Sequence, residues 1–498
     1  MNIVTNTNTY FAENRQDELI LLLLSKQSQY HHDAHYWDLL AQAHFAEQNT
    51  QEALSCWQKC LQVDPNNLQF QSSYAKTRLL SGLPASDNYA RLCAVDQCNE
   101  EYMIGYAHAL SLEGAHEQAI EALQQFTQNN HVSPNILKLL SDLFLLNGGE
   151  AAANKVYENA IIQDIHPSFS YTQIIDGYHH KESYQQALEA VEQATNALPN
   201  ETNLAVKKAI ILSEMHEDGA AINCFERLAK VQSVEKDLAI LRMSLRKGNL
   251  NIAEAIAMYY SRIGMQSTFI PYLSLIWRLK NKTQFLEWLD RGNAFIKTSQ
   301  IALSNKELSS LGRLLEQLHT TQSPYLEQSV QGGTQTDLNL FLRQEPIIQT
   351  IKERVKDQIK AYAQQLPIND PTHPLLKYDV QKTIDGRIKF NGSWSVKLNP
   401  GGRNKPHTHP KGWLSSALYL QVPDKAKLGP EPNGFIQFGT PPANLNLPLS
   451  ITHQEAPEVG KLVLFPSTSW HHTVPFSEGK RLVIAFDVAA QEKNFAKR

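Results

Sequence analysis

Two histidines one residue apart, His407 and His409, stand directly before an apolar run in the segment PHTHPKGWLSSALYL at residues 406–420. Side chains at positions i and i+2 of extended backbone point to the same face, so both imidazoles can enter one cavity. Two neutral imidazoles that converge on one point form half of a site for iron, zinc, copper or nickel. The spacing therefore predicts a metal site.

A third ligand is available in the segment FPSTSWHHTVPF at residues 465–476, which holds His471 and His472 after an apolar strand. Only one of two neighbouring residues in a regular strand faces inward, so His471 and His472 are alternatives for this ligand. Arg481 follows ten residues after His471. Its guanidinium can bind a carboxylate through two parallel hydrogen bonds. A metal that chelates an α-keto acid, with Arg481 on the far carboxylate of that acid, would use all these groups.

Strands must position these side chains, and the C-terminal part of the chain predicts them. A helix is expected over residues 345–367, and five short apolar segments follow it, separated by turns rich in glycine and proline: 389–398, 413–422, 434–439, 460–467 and 481–488. Their period of about two is typical of strands, and one helix followed by many short strands favours a sandwich or jelly roll. The polar segment 320–341 interrupts the preceding helical pattern, so we place a domain boundary there and assign residues 319–498 to an α+β domain.

The preceding residues, 1–318, predict an all-α solenoid. Alanines recur every 34 residues, at Ala119, Ala153, Ala187, Ala221 and Ala255. This period, with a small residue where two helices cross, is typical of helix–turn–helix repeats. The clearest units are residues 34–67 and 100–259.

Residues 34–67 resemble the tetratricopeptide repeat family. The resemblance lies in the residues Trp37, Leu40, Ala41, Ala53, Trp57 and Pro65. A solenoid of this kind implies a concave face that binds a protein or peptide partner.

The length and composition of the chain argue against several classes of protein. The chain of 498 residues is too long for one core, and its net charge of -4 gives no reason to expect nucleic acid. Five cysteines, an odd number that is sparse and clustered towards the N-terminus, favour a reducing compartment over a disulfide framework. The apolar run at residues 19–25 is too short to cross a membrane. We therefore expect a cytoplasmic protein that spans no membrane.

Residues 320–490 resemble the iron(II)- and 2-oxoglutarate-dependent oxygenases, whose core is a double-stranded β-helix of the jelly-roll or cupin type. The matching motifs are SPYLEQSVQGGTQTDLNLF, SWSVKLNPGG, HTHPKGWLSSALYL, KLVLFPSTSWHHTVPF and RLVIAFDV. The resemblance implies that His407, His409 and His471 bind Fe(II), that Arg481 binds 2-oxoglutarate, and that dioxygen is the second cosubstrate. Tyr419 and Ser415 share a strand face and are candidates to bind 2-oxoglutarate as well. No catalytic residue beyond the metal centre is expected.

One position departs from the family pattern, because the common form has Asp or Glu where this chain has His409. A three-histidine site carries one negative charge fewer than two histidines and a carboxylate. Three interpretations stay open: iron accepts three histidines, water replaces His409, or another metal binds. The predicted function is a dioxygenase that hydroxylates a protein or peptide substrate presented by the array. The alternative is a non-catalytic scaffold with a metal-binding or degenerate cupin-like domain.

Overall fold

The computed structural model describes residues 4–367 and 369–491 of the chain. Its helices are α1 Val4–Ala12, α2 Gln16–Leu24, α3 Gln27–Tyr30, α4 Ala34–Ala46, α5 Thr50–Val63, α6 Leu68–Leu80, α7 Ser86–Val95, α8 Glu100–Leu112, α9 His116–Asn129, α10 Pro134–Leu146, α11 Glu150–Ile162, α12 Pro167–His180, α13 Tyr184–Ala197, α14 Thr202–Glu214, α15 Asp218–Arg227, α16 Val234–Arg246, α17 Leu250–Arg262, α18 Gln266–Leu279, α19 Thr283–Asp290, α20 Asn305–Leu318, α21 Pro346–Gln364, α22 Val380–Ile384 and α23 Lys425–Leu428. Its strands are β1 Lys297–Gln300, β2 Val330–Gln335, β3 Phe390–Asn404, β4 Leu414–Gln421, β5 Ile436–Phe438, β6 His453–Glu455, β7 Lys461–Pro466, β8 His471–Thr473 and β9 Arg481–Val488. A helical array followed by a β-rich domain confirms the predicted fold class.

Helices α4 to α19 pack as successive hairpins, and buried alanines mark the helix crossings. Ala119, Ala153, Ala187 and Ala221 are all buried, as their spacing predicted. Ala255 is exposed and Ala253 is buried in its place. The cause is a shorter repeat at this point, because α17 begins 32 residues after α15, whereas α9, α11, α13 and α15 begin at successive intervals of 34 residues. The prediction for Ala255 was therefore wrong by two positions.

Two antiparallel sheets form the C-terminal domain. The larger sheet has the order β1-β7-β4-β9-β3-β2, and the smaller has the order β6-β5-β8. One face of the larger sheet packs on α20 and α21 through a core that includes Leu418, Ile484 and Ile351. A separate core between the sheets holds Phe438 and Phe465. This double layer is the jelly-roll arrangement that the strand pattern predicts.

The C-terminal domain begins earlier than the predicted boundary at residue 319. Strand β1 pairs with β7 at the edge of the larger sheet. Phe295, Leu311 and Leu315 belong to the same core as α21. Residues 295–318, which the sequence placed in the array, therefore pack with the C-terminal domain.

The array is joined to this domain at both of its ends. Near the N-terminus, the Gln48 side-chain amide donates to the carbonyl of Phe390 at 2.8 Å and accepts from its N–H at 3.0 Å. Near the C-terminus, Trp470 packs in one core with α18 and donates from Nε1 to the carbonyl of Pro271 at 3.0 Å. The inner helices of the array thereby face the mouth of the β-domain. Among the described residues, no helix combines the length and apolar character needed to cross a bilayer.

Candidate active site

His407, His409 and His471 meet at one end of the two sheets. One ring nitrogen of each lies within 4.8 Å of one ring nitrogen of each of the others. The backbone enforces this meeting, because the N–H of His407 donates to the carbonyl of His471 at 3.0 Å and the reverse bond measures 3.1 Å. The N–H of His409 donates to the carbonyl of Ser467 at 2.9 Å. The structure therefore brings together the three histidines that the sequence favoured.

His472 lies on the other face of β8, where it is opposite Gln437 of β5. It is not part of the group formed by the other three histidines. Strand alternation thus separates the two neighbours in the way the sequence anticipated.

Each of the three imidazoles has an oxygen acceptor at its Nδ1. The acceptor of His407 is the carbonyl of Lys405 at 2.7 Å, and that of His471 is the carbonyl of Ser469 at 3.0 Å. The acceptor of His409 is the carboxylate Oδ2 of Asp487 at 2.9 Å. Because these oxygens accept, Nδ1 carries the proton and Nε2 keeps its lone pair, which is the usual tautomer of a metal-binding histidine.

Burial keeps two of these imidazoles neutral. It lowers the pKa of His407 to about 3, and the neighbouring imidazole of His409 adds to this effect. Burial followed by the two neighbouring imidazoles also holds the pKa of His471 well below its usual value. The neutral imidazole is the form that binds metal ions, so both groups are in the required state at neutral pH.

Aromatic rings limit the movement of the imidazoles. Trp394 stacks on His409 with ring centroids 5.8 Å apart, and Phe465 contacts His471 with centroids 4.6 Å apart. Such packing holds the rings near one orientation before any metal binds.

Arg481 and Tyr419 present buried hydrogen-bond donors that have no acceptor. Arg481 is 2% exposed and Tyr419 is 1% exposed, and both line the same cavity as the histidines. Nη1 of Arg481 donates to the carbonyl of Gly434 at 2.8 Å, but Nε of Arg481 and the hydroxyl of Tyr419 have no hydrogen-bond partner. Burial lowers the pKa of Arg481 and raises the pKa of Tyr419 to about 12. Buried donors without acceptors are costly, and a carboxylate would satisfy both, so these residues fit 2-oxoglutarate.

Ser415 does not share this position. Its hydroxyl donates to Oδ1 of Asp487 at 2.6 Å and lies 2.8 Å from the hydroxyl of Ser467. Ser415 is absent from the residues that line the cavity. Its contacts do not support the prediction that it binds 2-oxoglutarate and place it behind His409 instead.

The cavity in front of the histidines has a volume of about 840 Å³ and is lined by residues from both the β-domain and the array. The β-domain contributes the histidines, Arg481 and Tyr419, and the array contributes residues from α12, α13, α14, α16 and α18. Asp176 and Lys207 on the array wall form an ion pair of 2.6 Å. Glu214 pairs with Arg242 at 3.0 Å and accepts from Asn444 of the β-domain at 2.7 Å. The site is thus closed by both parts of the chain.

The sequence did not predict Asp487 or the array wall. A signal for Asp487 exists, because Arg481, Val483, Ala485 and Asp487 alternate on one face of RLVIAFDV. An acidic residue on the inward face of an otherwise apolar strand is a candidate functional group. No comparable signal marks Asp176 or Lys207, because their position depends on how the array folds over the domain.

Two segments of the chain match known protein families. Residues 392–487 match the family described as "Putative 2OG-Fe(II) oxygenase", and residues 34–67 match the tetratricopeptide repeat. The chain joins tetratricopeptide repeats to a 2OG-Fe(II) oxygenase domain. The matched segment of the oxygenase domain contains all three histidines and Arg481. The family implies Fe(II) and 2-oxoglutarate as cofactor and cosubstrate.

One individual relative matches a short segment of the chain. An N-terminal acetyltransferase A complex subunit-like protein, C418.02 of Schizosaccharomyces pombe, is 27% identical over 106 residues, which are 21% of this chain and 15% of that relative. The chain therefore spans only a small part of that protein's length.

Among solved structures, a tetratricopeptide repeat protein from Parabacteroides merdae is 10% identical and covers 46% of this chain and 93% of its own, with a TM-score of 0.31. A prolyl-4-hydroxylase from Pseudomonas putida is 14% identical and covers 40% of this chain and 94% of its own, with a TM-score of 0.26.

Proposed function

We propose that this chain is an Fe(II)- and 2-oxoglutarate-dependent dioxygenase that hydroxylates a protein or peptide side chain held between the array and the oxygenase domain. The observation that carries the proposal is the group of three converging imidazoles beside the unpartnered donors of Arg481 and Tyr419. When bound, Fe(II) and 2-oxoglutarate supply a reaction in which dioxygen converts 2-oxoglutarate to succinate and carbon dioxide and adds one oxygen atom to a C–H bond. The protein supplies binding, orientation and exclusion of water.

The residues divide these tasks between them. His407, His409 and His471 would hold the metal through Nε2, each fixed in orientation by the acceptor at its Nδ1. Arg481 and Tyr419 would bind the carboxylate of 2-oxoglutarate, which satisfies their unpartnered donors. No side chain has to remove a proton from the substrate in this reaction.

The inner helices support a substrate that contacts the array. A second cavity of about 500 Å³ lies against α10, α11 and α12 and contains none of the proposed metal or 2-oxoglutarate ligands. It adjoins the first cavity, because both are lined by Asp176, His180 and residues 326–328. A small metabolite would need only the first cavity, whereas an extended polypeptide would occupy both. The pair of cavities therefore favours a polypeptide substrate.

Alanine variants of the neighbouring residues His471 and His472 test the proposed reaction, and the second variant is the control. We expect His471→Ala to abolish the coupled formation of succinate from 2-oxoglutarate, because one of the three ligands is lost. His472→Ala changes an adjacent residue outside the group, so its activity should stay close to that of the native protein. Equal activity of His471→Ala and the native protein would overturn the assignment. Anaerobic titration with Fe(II) and then 2-oxoglutarate should give a visible charge-transfer band in the native protein and none in His471→Ala.

The substrate class can be tested with oxygen-18 labelled dioxygen. The enzyme is incubated with Fe(II), 2-oxoglutarate and either a lysate peptide digest or a small-metabolite extract, and the products are examined by mass spectrometry. The proposal expects the label in peptides. Substitution of Asp176 by Ala should reduce this labelling more than it reduces the slow conversion of 2-oxoglutarate without substrate. Label that enters only small metabolites would contradict the polypeptide class.

A further inference from the structure

One of the three imidazoles has a charged partner and the other two do not. His407 and His471 donate from Nδ1 to backbone carbonyls, whereas His409 lies against the carboxylate of Asp487 at 2.9 Å. His409 also stands at the position where the common form of the site has Asp or Glu. The negative charge that is absent from the ligand set is therefore present one hydrogen bond farther from the metal position.

Asp487 is built into the domain and not a flexible surface residue. It is 8% exposed, and Oδ1 accepts from Ser415 at 2.6 Å while Oδ2 faces His409. Gly412 makes room for this arrangement, because a Cβ there would lie 2.4 Å from the hydroxyl oxygen of Ser467 and 3.3 Å from Cβ of Asp487. Among the described residues, His409 is the one basic side chain within ion-pair distance of Asp487. Its carboxylate is thus directed at His409.

We propose that Asp487 is a positioning residue that supplies, through His409, the negative charge that a carboxylate ligand supplies in the common form of this site. An imidazole that donates from Nδ1 to a carboxylate is held in one tautomer and is a stronger donor at Nε2 than one that donates to a neutral carbonyl. His409 and Asp487 together then act as a carboxylate ligand extended by one imidazole ring. This inference rests on the proposed metal site but does not depend on which substrate is hydroxylated.

The Asp487→Asn variant separates charge from shape. The amide oxygen can still accept from His409 and the amide nitrogen can donate to the hydroxyl of Ser415, so chiefly the charge is lost. We expect the dissociation constant for Fe(II), measured by anaerobic titration, to rise about 10- to 100-fold. Ser415→Ala is the matched control, because it removes a neutral hydrogen bond to the same carboxylate and should weaken Fe(II) binding only a few fold. Equal Fe(II) affinity of Asp487→Asn and the native protein would overturn the proposal.

A double variant tests whether the charge itself matters. His409→Asp combined with Asp487→Asn moves the carboxylate from behind the imidazole to the ligand position and keeps the charge of the site constant. It should bind Fe(II) at least about tenfold more tightly than Asp487→Asn alone, since it regains the lost charge and a family-type ligand. No gain over the single variant would contradict the proposal.

The native protein provides a measurement that needs no substitution. With Zn(II) as the bound metal and nitrogen-15 labelled histidine, the Nδ1 proton of His409 should resonate farther downfield than those of His407 and His471, because it alone is shared with a carboxylate. Three similar proton shifts would count against the proposal even if Asp487→Asn failed to fold. Metal binding is measured separately from succinate formation. A protein that binds Fe(II) in the expected manner but consumes no 2-oxoglutarate would therefore overturn the proposed function and leave this inference standing.

Discussion

At the scale of single residues, the hydroxyl of Tyr419 is a donor that the fold leaves without an acceptor. Replacing it with Phe should raise the Michaelis constant for 2-oxoglutarate about 2- to 10-fold, which corresponds to one hydrogen bond of about 0.5–1.5 kcal/mol. Without ligand, the Tyr419→Phe variant should be at least as stable as the native protein, because an unsatisfied buried group has been removed. Steady-state kinetics and thermal unfolding check both parts. A lower melting temperature with an unchanged Michaelis constant would assign the hydroxyl a structural role instead.

His319 is expected to make stability depend on pH. It is buried between the hydroxyls of Thr334 at 2.8 Å and Ser395 at 3.0 Å, and burial lowers its pKa to about 4. The unfolded chain has the ordinary value near 6.5, so the unfolded state binds more protons between these two values. The stabilisation from neutral His319 is therefore complete above pH 6.5 and is lost as the pH falls towards 4.

Substitution of His319 by Gln should reduce this dependence on pH. The difference in the free energy of unfolding between pH 7 and pH 5 should shrink by about 1–2 kcal/mol, measured by urea denaturation. His131→Gln changes an exposed histidine and serves as the control, for which the difference should not change. A difference that is the same in both variants would show that His319 does not titrate in this way.

Much of the metal site follows from strand alternation, which is visible in the sequence. The i and i+2 spacing predicted His407 and His409, and the same rule separated His471 from His472. Alternation also suggested that Ser415 and Tyr419 act together, yet only Tyr419 reaches the cavity lining. The difference arises because Asp487 binds the Ser415 hydroxyl, and this partner on another strand is not visible from spacing within one segment.

At the scale of secondary-structure elements, the shortened repeat between α15 and α17 determines which alanine α17 buries. Substitution of Ala253 by Leu should destabilise the protein by about 1–3 kcal/mol, because the larger side chain overfills a helix crossing. The same substitution at exposed Ala255 should change stability by less than about 0.5 kcal/mol. Chemical denaturation of the two variants provides the comparison. If Ala255→Leu were the more destabilising of the two, Ala255 and not Ala253 would lie at the helix crossing, as the regular period of 34 residues predicts.

Helix α20 resembles the array in sequence but packs with the C-terminal domain, which is why the predicted domain boundary lies too late in the chain. Residues 305–318 have a helical pattern like that of the array, so periodicity groups them with it. Their packing partners are instead α21 and the larger sheet, through Leu311 and Leu315. Helical period reports the presence of an apolar face and carries no information about which neighbour covers that face.

At the scale of the whole molecule, Trp470 connects the array to the metal site. Its ring lies edge-on against Tyr272 of α18 at 5.5 Å, and the next residue in the chain is His471. Trp470→Ala should lower the free energy of unfolding by about 3–5 kcal/mol, since a buried aromatic side chain is removed from the contact between both parts. Trp470→Phe retains most of the ring and should lose less.

Protease sensitivity distinguishes a loosened contact from general unfolding. Limited proteolysis of Trp470→Ala should cut first near residues 439–450, where Arg278 donates to the carbonyls of Gly439 and Ser450 at 2.5 Å each in the native fold. Cleavage spread evenly over the chain would show that Trp470 stabilises the protein without joining its two parts.

The inward orientation of the array has an evolutionary consequence. Helices α12, α14 and α16 form a wall of the same chamber that holds the three histidines. Under the proposed function, substrate recognition and chemistry would share a surface, and the repeats would not work as an interchangeable adaptor attached to an independent enzyme. A change of one inner-helix residue, such as Lys207, would then alter which C–H bond reaches the proposed metal position while the three histidines stay the same. Selectivity in descendants of this protein would then drift through its repeats, with the C-terminal domain left untouched.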